Sequence, residues 1–141
     1  MGNILKPYYL CITSALFLVA LIIYFFSIHK NLEKNILACA LFFCLLFSQL
    51  FWYNPENNSL IHKIDARIAK LTSFLFITYI LFYKKLSGLV LFLYLLLGIL
   101  TIYAFYRSDY YSTKEWCCDE HLFYHGLLHI AGLFVMLYAF I

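Results

Sequence analysis

Five long apolar runs, separated by short connections that hold nearly all of the charge, limit what this 141-residue chain can fold into. The runs cover residues 8–28, 35–53, 68–83, 86–106 and 122–141. About 20 apolar residues let a helix cross the hydrocarbon core of a bilayer. In lipid the backbone must satisfy its own N–H and C=O groups, which a helix does within one segment. The last two runs contain no Lys, Arg, Asp or Glu at all. With 65% hydrophobic and 12% charged residues, an ordinary soluble domain is excluded. The expected fold is all-α, a polytopic transmembrane helical bundle of about five spans, forming one integral membrane domain over residues 1–141. Tyr8, Tyr9, Trp52, Tyr53, Tyr83, Tyr106, Tyr110, Tyr111 and Trp116 fall at or near the run ends, as aromatic belts at a membrane interface do.

The first run is too long for a signal-peptide core, and no small-residue cleavage pattern follows it before His29-Lys30, so it reads as a retained signal anchor. Met1-Gly2-Asn3 begins like a myristoylation signal, but Lys6 stands where Ser or Thr is needed. Of five cysteines, Cys11, Cys39 and Cys44 lie within runs as packing residues. Cys117 and Cys118 are neighbours, a pairing that strains a disulfide, which leaves a thiol pair or a metal ligand. The net charge of +3 is spread thinly over several loops, which argues against nucleic-acid binding.

Five spans put the N-terminus, the second-to-third connection and the fourth-to-fifth connection on one side. That side holds Lys6, Lys63, Arg67, Lys70, Arg107 and Lys114, against Lys30, Lys34, Lys84 and Lys85 opposite. The excess of basic residues leans toward a cytoplasmic N-terminus. The acids are more lopsided, with only Glu33 on the far side. Every histidine except His29 belongs to the N-terminal side as well.

His125-Gly-Leu-Leu-His129 places two imidazoles inside the fifth run, and His121 extends the stripe by a turn. Ionisable groups in a span are costly and usually mark a site or a polar seam. Two imidazoles at i and i+4 converge on one point, as zinc ligands do. A third ligand must then come from elsewhere. His62 is the best candidate, with Asp65, His121 and Asp119 behind it. Asp65 would serve as general base or as orienter of an imidazole. After the Asn54–Asn58 loop, Ser59 is the expected helix cap, with His62 and Asp65 on one face. Lys63, Arg67 and Lys70 form a separate basic stripe suited to lipid headgroups. The competing reading of the His stripe is hydrogen bonding between helices. Desaturase-type His boxes need about eight His and this chain has five. Haem would require a second His at matched depth in a facing span.

Three elements together resemble the superfamily of alkaline ceramidases, adiponectin/progestin-type receptors and haemolysin III-like proteins. Ser48-Gln-Leu-Phe-Trp52 resembles its Ser-x3-His element, Lys63-Ile-Asp65-Ala-Arg its Asp element, and His125-Gly-Leu-Leu-His129 its His-x3-His element. The resemblance implies a membrane-embedded hydrolase with zinc on His125, His129 and a third histidine. Its substrate would be the amide of a ceramide-like membrane lipid, with a zinc-bound water as nucleophile. Asp65 would be base or second partner, and Ser48 or Ser59 would stabilise the developing oxyanion. Two departures accompany it. Trp52 stands at the position of the first metal-binding His, so His62 would have to replace it, with Ser59 as its local partner. The superfamily has seven spans, and this chain has five; loss of one hairpin keeps all three elements on the same face. The alternative expectation is a non-catalytic small membrane protein, either a degenerate relative or a structural or transport subunit.

Overall fold

A computed structural model describes residues 4–141 of the chain, so the Met1-Gly2-Asn3 start lies outside the described residues. Among the described residues six α-helices follow one another: α1 (Tyr8–Ala15), α2 (Phe17–Phe26), α3 (Leu32–Tyr53), α4 (Leu60–Tyr83), α5 (Gly88–Lys114) and α6 (Asp119–Phe140). α1 and α2 form one nearly continuous span, Tyr8–Phe26, interrupted at Leu16, which itself keeps helical dihedrals. With that pair counted as one, five helices are long and apolar enough to cross a membrane. This is the architecture of a multi-pass integral membrane protein.

Helix starts follow from local chemistry. The side chains of Asn31, Ser59 and Ser87 accept from the N–H groups of Lys34, His62 and Val90, capping α3, α4 and α5. α4 begins at Leu60, ahead of the apolar run at 68, and α5 continues to Lys114, beyond the run's end at 106. In both places helical backbone carries charged or tyrosine-rich sequence that hydropathy alone does not mark.

α6 is the hub, packing against α1, α2, α4 and α5, while α3 packs against α1, α2 and α4. One apolar core, toward the far side, includes Leu21, Leu41, Phe76 and Phe140. A smaller one near the N-terminal side joins Leu10, Phe51, Trp52 and Leu122. α5 fully buries only Ala104 and Ser108, packs Tyr94 partly against the core, and turns most of its apolar surface outward.

Polar contacts close both ends of the bundle. Near the N-terminus the Asp119 carboxylate accepts from the Ile4 and Leu5 N–H groups at 2.9 and 2.8 Å. The N-terminus and the α5–α6 connection therefore share one side. At the other end the buried Lys34 ammonium donates to the Phe140 carbonyl at 3.0 Å, satisfying a carbonyl that the end of α6 leaves without a helical partner.

Candidate functional site

The His column on α6 stands at the centre of the N-terminal half of the bundle. His121 and His129 are buried and His125 is partly buried. Successive rings meet edge to face, with centroids 5.9 Å apart for His121–His125 and 5.1 Å for His125–His129. Each ring has its own hydrogen-bond partner. His129 Nδ1 lies 2.8 Å from Thr13 Oγ1 of α1, and His125 Nδ1 lies 3.3 Å from Ser108 Oγ of α5. His121 Nδ1 accepts from the Cys117 backbone N–H at 3.2 Å, within the turn that leads into α6. That turn holds Cys117 at φ 59°, a left-handed conformation in which a non-glycine residue stores strain.

His62 is held differently. Its ring stacks flat on Phe51, with centroids 4.7 Å apart and planes 3° from parallel, and touches Trp116 at 5.2 Å. Its Nδ1 accepts from the Asn58 N–H at 3.1 Å. A neutral imidazole has one lone pair for coordination or acceptance, so this bond leaves the proton on Nε2. Trp116 touches both His62, at 5.2 Å, and His121, at 5.0 Å, and against it lies Trp52, almost fully enclosed. Its ring contacts His125 at 4.8 Å, Phe51 at 4.7 Å and Trp116 at 6.3 Å. The Trp52 and Trp116 indole N–H groups and the Ser48 hydroxyl are buried without hydrogen-bond partners.

Asp65 is buried on the face of α4 toward α3, within electrostatic reach of the Cys44 thiol. Thr72 donates to the Ala40 carbonyl at 3.3 Å, which fixes the antiparallel register of the two helices. Two turns toward the connecting loop, the same register sets Ser48 opposite Asp65. Ser59 is a helix cap bound to the His62 N–H, away from the column. Asp119 is engaged with the N-terminal backbone. Burial, and then the adjacent Cys118, push the Cys117 thiol up to about 11. It is therefore protonated at neutral pH.

The structure thus brings His125 and His129 together, puts Ser48 and Asp65 at facing positions of α3 and α4, and sets aromatic rings between His62 and the column. Among the described residues, no three His, Cys, Asp or Glu side chains form a group that could hold a metal ion. The expected ligand set of His62, His125 and His129 does not fit zinc in this arrangement. Two partners of the column, Thr13 and Ser108, went unmarked in the sequence. Their only signal is that each is a hydroxyl in an apolar helix at a depth similar to the His pair. A third polar group of this kind, Gln49, donates from Nε2 to the Cys11 carbonyl at 2.7 Å and to Ser14 Oγ at 2.8 Å, tying α3 to α1. The chemistry rests on this geometry, because comparison with models of known protein families, with characterised proteins and with solved structures gave no match.

Proposed function

We propose that this chain is a non-catalytic integral membrane protein, a degenerate relative of the ceramidase and receptor superfamily, whose His column joins helices instead of binding zinc. The observation that carries this reading is the bond from the Asn58 N–H to His62 Nδ1. It commits the lone pair of the one histidine placed to replace the ligand lost at Trp52. Hydrogen bonds from the column to Thr13 and Ser108 supply the structural role, linking α6 to α1 and α5. Such interhelical bonds average about 0.6 kcal/mol in a membrane. The excess of basic residues on the N-terminal side leans toward a cytoplasmic N-terminus. Metal analysis of purified protein tests the proposal. Wild type is expected to carry no zinc above background, and a full equivalent that disappears in His125→Ala overturns it.

A second reading is a zinc-dependent membrane hydrolase acting on the amide of a ceramide-like lipid. One observation favours it. The Ser48 hydroxyl is buried without a partner opposite the buried Asp65 carboxyl, an arrangement that serves no evident packing purpose. In that reading Asp65 takes a proton and Ser48 donates to the amide oxygen. Fatty-acid release from ceramide in mixed micelles with added zinc, lost in Asp65→Asn, is its signature. No release by wild type removes it.

A further inference from the structure

The far end of the bundle carries a different feature. A groove of about 270 Å³ opens toward lipid between α2 and α3, lined by Leu21, Tyr24, Asn35, Ala38, Cys39 and Phe42 among others. It is larger than the ~150 Å³ apolar cavity that accommodates a benzene molecule, so it has room for a run of methylenes. From Asn35 to Phe42 it descends about 10 Å along α3 at the helical rise. That takes it from the membrane boundary into the hydrocarbon region of one leaflet.

Its mouth is polar and basic. The Tyr24 hydroxyl donates to Asn35 Oδ1 at 2.6 Å, which leaves the Asn35 amide nitrogen as a donor. The Lys30 ammonium lies over the Tyr24 ring, 5.4 Å from its centroid, at the same mouth. His29, Lys30, Lys34, Lys84 and Lys85 all belong to this end, against the single acid Glu33. The crowding of cations shows at Lys84, whose ammonium is held below its ordinary value by burial and then by neighbouring Lys34. A narrow apolar slot beneath a cationic rim matches a molecule with an anionic head and a hydrocarbon chain.

We propose that the α2–α3 groove is a binding site for one anionic glycerophospholipid, its acyl chain along Leu21, Ala38 and Phe42 and its phosphate at Lys30 and Asn35. The site is independent of the His column, at the opposite membrane boundary. The test is native mass spectrometry of protein exchanged from nanodiscs containing equal phosphatidylglycerol and phosphatidylcholine. Wild type is expected to retain one lipid per chain, with phosphatidylglycerol favoured about fivefold, the factor for one basic residue near a phosphate. Lys30→Glu keeps the lipid but loses the preference. Cys39→Phe fills the slot at a position already exposed on the surface, and loses lipid of both kinds. Equal retention of the two lipids by wild type, or unchanged retention in Cys39→Phe, overturns the proposal. Disulfide-linked dimers through Cys39 on oxidation in the bilayer overturn it too, by showing a second copy of the chain seated on this face.

Discussion

A neutral imidazole offers one nitrogen lone pair, and where that pair points decides what a histidine inside a bundle can do. In His62 and His121 it points at backbone N–H groups, those of Asn58 and Cys117. In His125 and His129, Nδ1 faces a hydroxyl, which can donate or accept. Only the latter pair can keep Nε2 available. Trp52 bears on the matter, because its indole sits against His125 and it stands where the resemblance puts a metal-binding histidine. On the proposed reading, Trp52→His should restore that ligand and raise zinc content above that of wild type. Without metal it should cost about 3 kcal/mol, the lower end of large-to-small core changes for an aromatic. Metal content and unfolding in detergent check both halves, and a variant with no more zinc than wild type argues against Trp52 as the position of the lost ligand. Cys117 supports a pH prediction. A thiol raised from 9.0 to about 11 in the fold favours the protonated form there. Its contribution to stability is full below the unfolded value and is lost as pH rises from 9 toward 11. In a variant retaining only Cys117, alkylation should be slow at pH 7–8 and accelerate above about pH 10. Labelling already fast at pH 8 contradicts this.

At the scale of elements, the two inward glycines of α6 make opposite demands. A Cβ on Gly126 would lie 2.6 Å from Tyr9 Cε1 and 2.7 Å from its hydroxyl, so the α1 ring must swing away. On Gly132 the nearest atoms are those of Phe17 at 3.6 Å, an ordinary contact. Gly126→Ala is expected to destabilise by about 1 kcal/mol, the low end for overpacking, because only the outer ring atoms of Tyr9 have to give. Gly132→Ala should be neutral or gain the usual helix preference of alanine. Equal midpoints for the two variants in a detergent unfolding series would contradict the close α1–α6 approach. All five spans were legible as apolar runs, since length and hydropathy are what a bilayer selects. Their ends were not. Lys63, Asp65 and Arg67 hid the start of α4 from hydropathy, though Ser59 announced it as a cap. The break at Leu16 had no signal, for its dihedrals are helical. The His pair on α6 was visible from spacing, whereas the contact of Trp52 with His125 and the hydroxyls of Thr13 and Ser108 depend on which helices meet. One helix's sequence carries no record of that.

Across the whole molecule, polar groups form a layer. Thr13, Ser48, Gln49, Asp65, Ser108, His125 and His129 lie between four and ten residues inside the N-terminal-side ends of their helices. At the helical rise that is a depth of roughly 6–15 Å. Every span contributes, so the layer exists only when all are assembled. Asp119 closes it on the N-terminal side by holding the first described residues against α6. Asp119→Ala should therefore raise hydrogen exchange at the Ile4 and Leu5 amides by roughly tenfold, the factor for about 1.4 kcal/mol. Unchanged exchange at those amides would show that the clasp does not hold.

The hub position of α6 also has a consequence for the order of synthesis. α1 through α4 are synthesised before any residue of α6 exists. Until it arrives, Thr13 has no imidazole to meet and Lys34 has no Phe140 carbonyl. In lipid, unpartnered groups of this kind cost several kcal/mol. The partly made protein should therefore persist as a recognisable, chaperone-held intermediate, whose release depends on the helix that carries the two histidines.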